Sequence, residues 1–391
     1  MIDKIDKNDC YGCYACINSC PQSCIIMKED KEGFFYPKID MDKCVGCNKC
    51  EVMCPACGKD DYLLTEDKKF YAAYHLNEQV RKRSSSGGIF YALAQYVIEN
   101  KGYVCAASFN RNFEVEHQLA CKMEEIEKMQ GSKYAQSKLG FEIKNIKTLL
   151  EQKKQVLFVG TPCQVAGIKN VIPKYLQNNL ICVDLVCHGV PNNKLLKKYL
   201  VELSKDSDDT IERVSFRDKK NGWKCYSFCV AYRSGKVYRA NRYADSYLRA
   251  FVKGLILRPS CYGCKYRINE SGSDLTIGDF WNHKKYLKKR DDNKGLSLVS
   301  VQTEKGLELL EKSKYLKLLE VSEMVGISSE VKHEDKMSQD IRNLFFSELS
   351  NRSFEEVMGV LSPIDKKKYY IECIKMLIEK IIFMVNVERR N

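Results

Sequence analysis

The sequence predicts a small cysteine-rich α+β module, then a larger α/β domain, then a helical extension. Three observations carry this. Eight of the twenty cysteines crowd into two runs that end at residue 54. From Tyr71 onward, short apolar runs alternate with amphipathic helical patterns, as in layered α/β folds. Beyond about residue 310 helical spacing dominates. A chain of 391 residues can hold two or three cores, here read as 1–60, 61–310 and 311–391.

The first unit is read from its spacing. Cys10, Cys13, Cys16 and Cys20-Pro21 form a C-x2-C-x2-C-x3-C-P run, and Cys44, Cys47, Cys50 and Cys54-Pro55 repeat it without a slip. Iron–sulfur clusters need soft thiolate ligands, and this is the spacing of bacterial two-cluster ferredoxins, whose fourth cysteine serves the other cluster. Cys10, Cys13, Cys16 and Cys54 are therefore assigned to one 4Fe–4S cluster. Cys44, Cys47, Cys50 and Cys20 are assigned to a second. Zinc is the competing reading, but a structural zinc site uses two CxxC units and four ligands in all. Pro21 and Pro55 stop each run from continuing as a helix. Cys24 and Cys57 fall outside the repeat and are expected to be small buried packing residues. Between the runs, IIMKEDKEGFFYPKID reads as a hairpin turning near Glu32-Gly33.

Composition bounds the setting. An apolar fraction of 44% and a charged fraction of 29% describe an ordinary globular protein. The start, MIDKIDKNDC, has no apolar signal core, and no run approaches the ~18 apolar residues of a membrane span. A reducing, oxygen-poor cytoplasm in which thiolates hold metal is the expected location. The net charge of +13 is uneven: residues 1–60 hold 8 Lys against 10 Asp and Glu, a balance of −2 that leaves +15 for the rest. A basic body suits phosphorylated cofactors or acidic partners. No nucleic-acid-binding signature accompanies it, so nucleic acid is not expected.

Along the larger domain, FYAAYHL and YVCAASF read as strands around RKRSSSGGIFYALAQYVIENKG, a loop and an amphipathic helix. Ser84 to Gly88 open that helix and would offer backbone N–H groups to a phosphate; the plainer reading is a well-capped helix. QVLFVG then leads through Thr161-Pro162-Cys163-Gln164 into VAGIKNVI. LICVDLVC ends in Cys187-His188-Gly189-Val190-Pro191 before NNKLLKKYLVEL. Both cysteines thus fall where a strand ends and a helix begins, the edge at which α/β sheets bind ligands. VSFRDKKNGWKCYSFCVAYRSGKVYRANRY reads as strands with a Ser234-Gly235 turn. Cys225 and Cys229 would share one strand face roughly 13 Å apart, which suits packing. RPSCYGCKY supplies a further CxxC, Cys261 and Cys264, and DLTIGDFW a strand ending near Asp279. Ser362-Pro363 is expected to open a tail helix whose Ile371, Ile374, Ile378, Ile381, Ile382 and Val385 form a stripe that packs on its own domain. Glu372, Lys375, Glu379 and Lys380 rule it out as a membrane span.

Taken together, SSSGGIF, GSKYAQS, GTPCQVAGIK, CHGVP, SFRDKKNGW, RPSCYGCKY and DLTIGDFW resemble the beta-subunit family of coenzyme F420 hydrogenase and dehydrogenase. The match runs in order from about residue 70 to about residue 300. The resemblance implies an α+β ferredoxin-like two-cluster module followed by a larger α/β flavin-binding domain. It implies FAD, and a third 4Fe–4S cluster on Cys163, Cys187, Cys261 and Cys264. Read from the residues alone, those four thiols could converge, or Cys163 could be a nucleophile, or all four could be structural. The resemblance further points to Ser85, Ser86, Gly87 and Gly88 for the flavin phosphates. Lys133, Tyr134, Gln136 and Ser137 would be flavin neighbours, and His188 and Asp279 polar groups near the reacting site.

The function expected is an iron–sulfur flavoprotein oxidoreductase. Its clusters would exchange single electrons with a soluble partner protein, and FAD would reduce or oxidise an organic substrate or a deazaflavin. The alternative is an electron-transfer subunit that docks to a separate catalytic protein and has no substrate of its own.

Overall fold

The computed structural model describes residues 1–57, 68–205, 209–268, 271–287, 292–321, 336–371 and 373–374. Among them are thirteen strands in three sheets. The amino-terminal hairpin is β1 (Ile25–Glu29) with antiparallel β2 (Phe35–Ile39). Asp30 Oδ1 fixes its turn by accepting from the amides of Glu32, Gly33 and Phe34 at 3.0–3.1 Å. Gly33 sits there at φ 103, in the left-handed region where side chains are strained. The turn was expected near these residues.

The main sheet has eight strands. They are β3 (Lys69–His75), β4 (Tyr103–Phe109), β5 (Val115–Ala120), β6 (Val156–Gly160), β7 (Leu180–Leu185), β11 (Leu275–Asp279), β12 (Ser297–Val301) and β13 (Leu316–Val321). In space they run β13-β3-β12-β11-β7-β6-β4-β5. The central four, β11, β7, β6 and β4, are parallel, and the flanking pairs are antiparallel. The expected α/β architecture is thus a mixed sheet. Parallel strands are buried on both faces and so read as unbroken apolar runs, which is why VLFVG and LICVDL were legible.

Alternation sorts those runs between two cores. On β6 and β7, Leu157, Val159, Ile181 and Val183 face the helices Ile89–Glu99, Met123–Met129 and Glu304–Lys312. Val156, Phe158, Leu180 and Cys182 face the other way, onto the helices Glu142–Glu151 and Pro162–Val171. That second core also contains Ile2, Cys16, Ile17, Cys24 and Ile25, so the small module and the sheet share one apolar interior. The module is pinned at its rim as well. Arg342, on the helix Lys336–Glu348, pairs with Glu32 at 2.6 Å, and Asn192 Nδ2 donates to the Glu32 carbonyl at 2.9 Å.

The third sheet, β8 (Ile211–Asp218), β9 (Ser227–Tyr232) and β10 (Val237–Asn241), is antiparallel in the order β10-β9-β8. It packs an aromatic core of Tyr199, Phe216, Phe228, Tyr247 and Phe354. Gly235, at φ 89, makes the expected turn between β9 and β10.

Several expectations are corrected. Cys225 precedes β9, so it and Cys229 share no strand. Cys57 is exposed, whereas Cys24 is buried as expected. Residues 316–321, placed in a helical extension by the sequence, form the sheet's edge strand beside β3, with Leu316 and Leu318 packed against one core and Leu319 and Val321 in the other. Ser362 ends the helix Phe354–Leu361 instead of opening the next; helical backbone resumes at 366, with Asp365 accepting from the Lys368 amide at 3.0 Å. Ile371 and Ile374 are exposed there. Glu372, Lys375, Ile378, Glu379, Lys380, Ile381, Ile382 and Val385 lie outside the described residues.

Candidate functional site

The duplicated cysteine runs fold as duplicated backbone. Gly12 and Gly46 take φ 62 and 67, and Tyr14 and Asn48 take φ 64 and 54, the same two positions of each run. These left-handed residues give the two runs the same backbone turns between their cysteines. Tyr14 and Asn48 then precede the short helices Ala15–Ser19 and Lys49–Val52. The first helix ends at Cys20, extended as a residue before proline must be.

The thiols meet across the two runs. Cys20 lines one hollow with Cys44, Cys47 and Cys50, together with Pro21, Val45 and Gly46. Cys54 is an electrostatic neighbour of both Cys13 and Cys16, and Cys10 is a neighbour of Cys16. Cys16 also has Cys50 of the other set as a neighbour, so the two groups adjoin. They differ in burial: Cys10, Cys13, Cys16 and Cys54 are all buried, while in the other set Cys20 is buried, Cys44 and Cys50 are half-buried and Cys47 is exposed. We call them the inner and outer sets. Burial pushes the Cys13 thiol far up, and the thiols of Cys54 and Cys16 beside it add to the effect. Such thiols ionise only with a cation among them, and metal coordination supplies one. Among the described residues no group of three or more His, Cys, Asp or Glu could hold a single metal ion. A cubane makes a different demand, since its four thiolates bind four separate irons. The donor chemistry and the crossed grouping fit two such clusters.

A third group of thiols stands at the carboxyl edge of the parallel strands. Cys163 opens the helix after β6, and Cys187 lies two residues beyond β7. Cys261 ends the 3-10 turn Pro259–Cys261, with Cys264 just after it. Cys187 has Cys261, Cys163 and Cys264 as electrostatic neighbours, so the structure brings all four together. Gly189, at φ 129, lets the loop press in; a Cβ there would stand 3.2 Å from Cys261 Cβ. Desolvation pushes the Cys163 thiol up to about 11, although Thr161 Oγ1 contacts its sulfur at 3.3 Å. This group also fits a cluster by donor type. It adjoins the inner set: Cys13 has Cys163 as a neighbour, and a Cβ on Gly167 would lie 3.2 Å from Cys13 Sγ.

The residues expected around a flavin have other partners. Ser85 Oγ accepts from the Ser132 amide at 2.6 Å, and Ser86 Oγ donates to the Leu296 carbonyl at 2.9 Å. Gly87 donates its amide to Ser297 Oγ, and a Cβ there would fall 2.4 Å from the Ala73 carbonyl oxygen. Gly88, at φ 93, forms the N-cap of the helix Ile89–Glu99, so no serine side chain caps it. Lys133 Nζ donates to the carbonyls of Met129, Gln130 and Gly131, which uses all three of its protons. Its desolvation lowers the ammonium to about 7, although the residue still meets solvent in part. Gln136 bridges the Tyr11 carbonyl (2.9 Å) and the Arg258 guanidinium (3.1 Å), and Ser137 Oγ accepts from Gln164 Nε2 at 3.0 Å. Tyr134 stacks on Phe251 at 4.3 Å. In the chain by itself these groups serve its own packing.

His188 Nε2 bonds the Phe251 carbonyl oxygen at 2.8 Å. Asp279 accepts from both Arg217 nitrogens (2.8 and 3.1 Å) and from Trp223 Nε1 (2.7 Å), an anchoring role.

Comparison with known proteins now decides the family. Two models of the coenzyme F420 hydrogenase/dehydrogenase beta subunit match most of the chain beyond the module. The model of its N-terminal part matches residues 70–142, and the model of its C-terminal part matches residues 153–326. The chain belongs to that family. A 4Fe-4S dicluster domain matches residues 9–57 in front of it. Among solved structures, a chain of the F420-reducing [NiFe] hydrogenase complex from Methanosarcina barkeri is 18% identical, with a TM-score of 0.47, covering 72% of this chain and 89% of that one. No curated protein matches. No helix among the described residues is long and apolar enough to cross a membrane. In this beta-subunit family member the sequence reading missed Arg258, which sits in RPSCYGCKY only three residues before Cys261 yet reaches back to Cys10.

Proposed function

We propose that this chain is an iron–sulfur oxidoreductase subunit that relays single electrons through three 4Fe–4S clusters. The outer one is held by Cys20, Cys44, Cys47 and Cys50. The inner one is held by Cys10, Cys13, Cys16 and Cys54, and the third by Cys163, Cys187, Cys261 and Cys264. A 4Fe–4S cluster supplies reversible one-electron storage when bound. The carrying observation is that the inner set has neighbours in both of the others: Cys13 has the third-set thiol Cys163, and Cys16 has the outer-set thiol Cys50. The inner set thus adjoins the other two, and only the outer set has an exposed ligand, Cys47. The chain's own part is to hold the thiols, seal the inner set from water and leave the outer set within reach of a soluble partner protein.

The test is anaerobic purification with iron, sulfide and flavin analysis. About twelve irons per chain support the relay, and Cys163→Ala should lower the count by about four. About eight irons, unchanged by Cys163→Ala, would remove the third station.

A second reading is the self-contained FAD enzyme acting on an organic substrate or a deazaflavin. Arg217 favours it. This guanidinium is buried with an unpartnered Nε, beside Ser85 and Tyr134 and 5.3 Å from the ring of the exposed Trp281. Stoichiometric FAD released from the pure protein, with turnover of a small molecule, would select that reading.

A further inference from the structure

The two amino-terminal thiol sets share their spacing and backbone but not their surrounding charge. Arg258 has no exposed surface. Its Nε donates to the Cys10 carbonyl at 2.6 Å, one terminal nitrogen to Gln136 Oε1 at 3.1 Å, and the other to Cys10 Sγ at 3.4 Å and the Phe35 carbonyl at 3.0 Å. The guanidinium lies 4.4 Å from the Tyr36 ring. Among the described residues no carboxylate bonds to it. A buried cation needs a counter-charge, and the anion its geometry selects is the Cys10 thiolate with whatever that thiolate binds. The same cation acts on Cys163 in the third set.

Among the described residues the outer set has nothing equivalent. The Met1 amino group lines its hollow but is paired with Glu51 at 2.6 Å, and Lys43 is paired with Asp40 at 2.7 Å. Both cations are exposed, so their effect is neutralised by a partner and screened by solvent. The group touching the outer ligand Cys20 is a neutral thiol, Cys24, at 3.4 Å.

Reduction adds one negative charge to a cluster. Burial by itself disfavours that charge, so the inner cluster would be the harder of the two to reduce. A fixed, unpaired cation donating to a ligand sulfur opposes this directly, and its field is strong where water is excluded. We propose that Arg258 holds the reduction potential of the inner cluster at or above that of the outer one, so that electrons arriving at the surface run inward. This deepens the relay reading and rests on it.

The test is an EPR-monitored redox titration of the anaerobic full-length holoprotein, with the outer signal assigned by its change in Cys47→Ala. In the wild type the inner cluster should be reduced no later than the outer. In Arg258→Gln, neutral but still hydrogen-bonding, the inner reduced-to-oxidised ratio at fixed potential should fall about tenfold, or 59 mV for one electron. The outer potential should stay in place, so the inner cluster's lead over it shrinks by that amount and inverts wherever the wild-type lead is smaller. Arg258→Lys, which keeps the charge, should lie closer to the wild type than Arg258→Gln does. The proposal is overturned by a wild-type inner cluster below the outer one, by no inner shift in Arg258→Gln at full iron content, or by equal shifts in the Gln and Lys variants. Wild-type protein without iron is a separate result that removes the relay itself.

Discussion

The two cysteine runs are the same motif used in two environments. Each has the same spacing and the same left-handed positions, so the local geometry of thiol presentation is set by the repeat. What differs is the short helix each run enters. Ala15–Ser19 reads ACINS and every residue is buried; Lys49–Val52 reads KCEV and none is. The apolar helix can be enclosed, and it lies against Pro162–Val171 with Asn18 Nδ2 donating to the Gly140 carbonyl at 2.9 Å. The charged helix stays in water. A duplicated coordination motif thus yields one buried and one accessible station, and the partner surface makes the difference.

The largest expected effect separates the two by stability. Cys10→Ala and Cys47→Ala should each lose about four irons. Only Cys10→Ala leaves the buried Arg258 charge without its counter-anion, and stripping the partner from a buried charge costs about 3–5 kcal/mol. Anaerobic urea unfolding should therefore show Cys10→Ala less stable than Cys47→Ala by that order. Equal losses would mean that the inner environment contributes nothing of its own.

A smaller effect concerns the core on which the inner half rests. His117 is buried on β5, stacks on Phe158 at 5.2 Å, shares Nε2 with the Val159 carbonyl at 3.0 Å and leaves Nδ1 unpartnered. Desolvation lowers it from the usual 6.5 to about 4. Between those values the unfolded chain takes up a proton that the folded chain refuses, so stability falls as pH drops. The loss reaches about 3 kcal/mol near pH 4 and is absent above 6.5. His117→Phe should lack this part of the slope. Carboxylates such as Asp184 and Asp245, raised to about 6 by burial, contribute equally to both proteins and cancel in the difference. Identical pH profiles would show that His117 titrates normally.

How much of this was legible follows from the range of each interaction. The duplicated cysteine spacing and the buried strands are local patterns, a spacing and an apolar run, and the fold presents the repeated backbone and the strands where the sequence suggested them. The resemblance assigned the glycines at 87 and 88 to the flavin phosphates, and a ligand and a close-packed backbone ask the same thing of a residue. Here the neighbour of Gly87 is the Ala73 carbonyl. Gln136 and Ser137 carry polar atoms whose partners, Tyr11, Arg258 and Gln164, come from elsewhere in the chain. Arg258 and Cys10 are 248 positions apart, and no periodicity encodes that pairing.

The smallest effect tests whether charge is what distinguishes the two halves. Cys24 Sγ lies 3.4 Å from the outer ligand Cys20, and the thiol is a weak, neutral donor. Charge-assisted hydrogen bonds are roughly twice as strong as neutral ones, and a weak S–H falls below the neutral norm. Cys24→Ala should therefore lower the outer cluster's potential by well under half of the inner shift in Arg258→Gln. Cys24→Ser, a better donor, should move it the other way. Cys57→Ala, at an exposed thiol that touches the inner ligand Cys54, should change stability by less than about 0.5 kcal/mol and move the inner potential no further than Cys24→Ala moves the outer one. All are read in the same EPR titration. If Cys24→Ala moved the outer cluster as far as Arg258→Gln moves the inner one, hydrogen bonding to sulfur would explain both halves, and the buried charge would have no separate role.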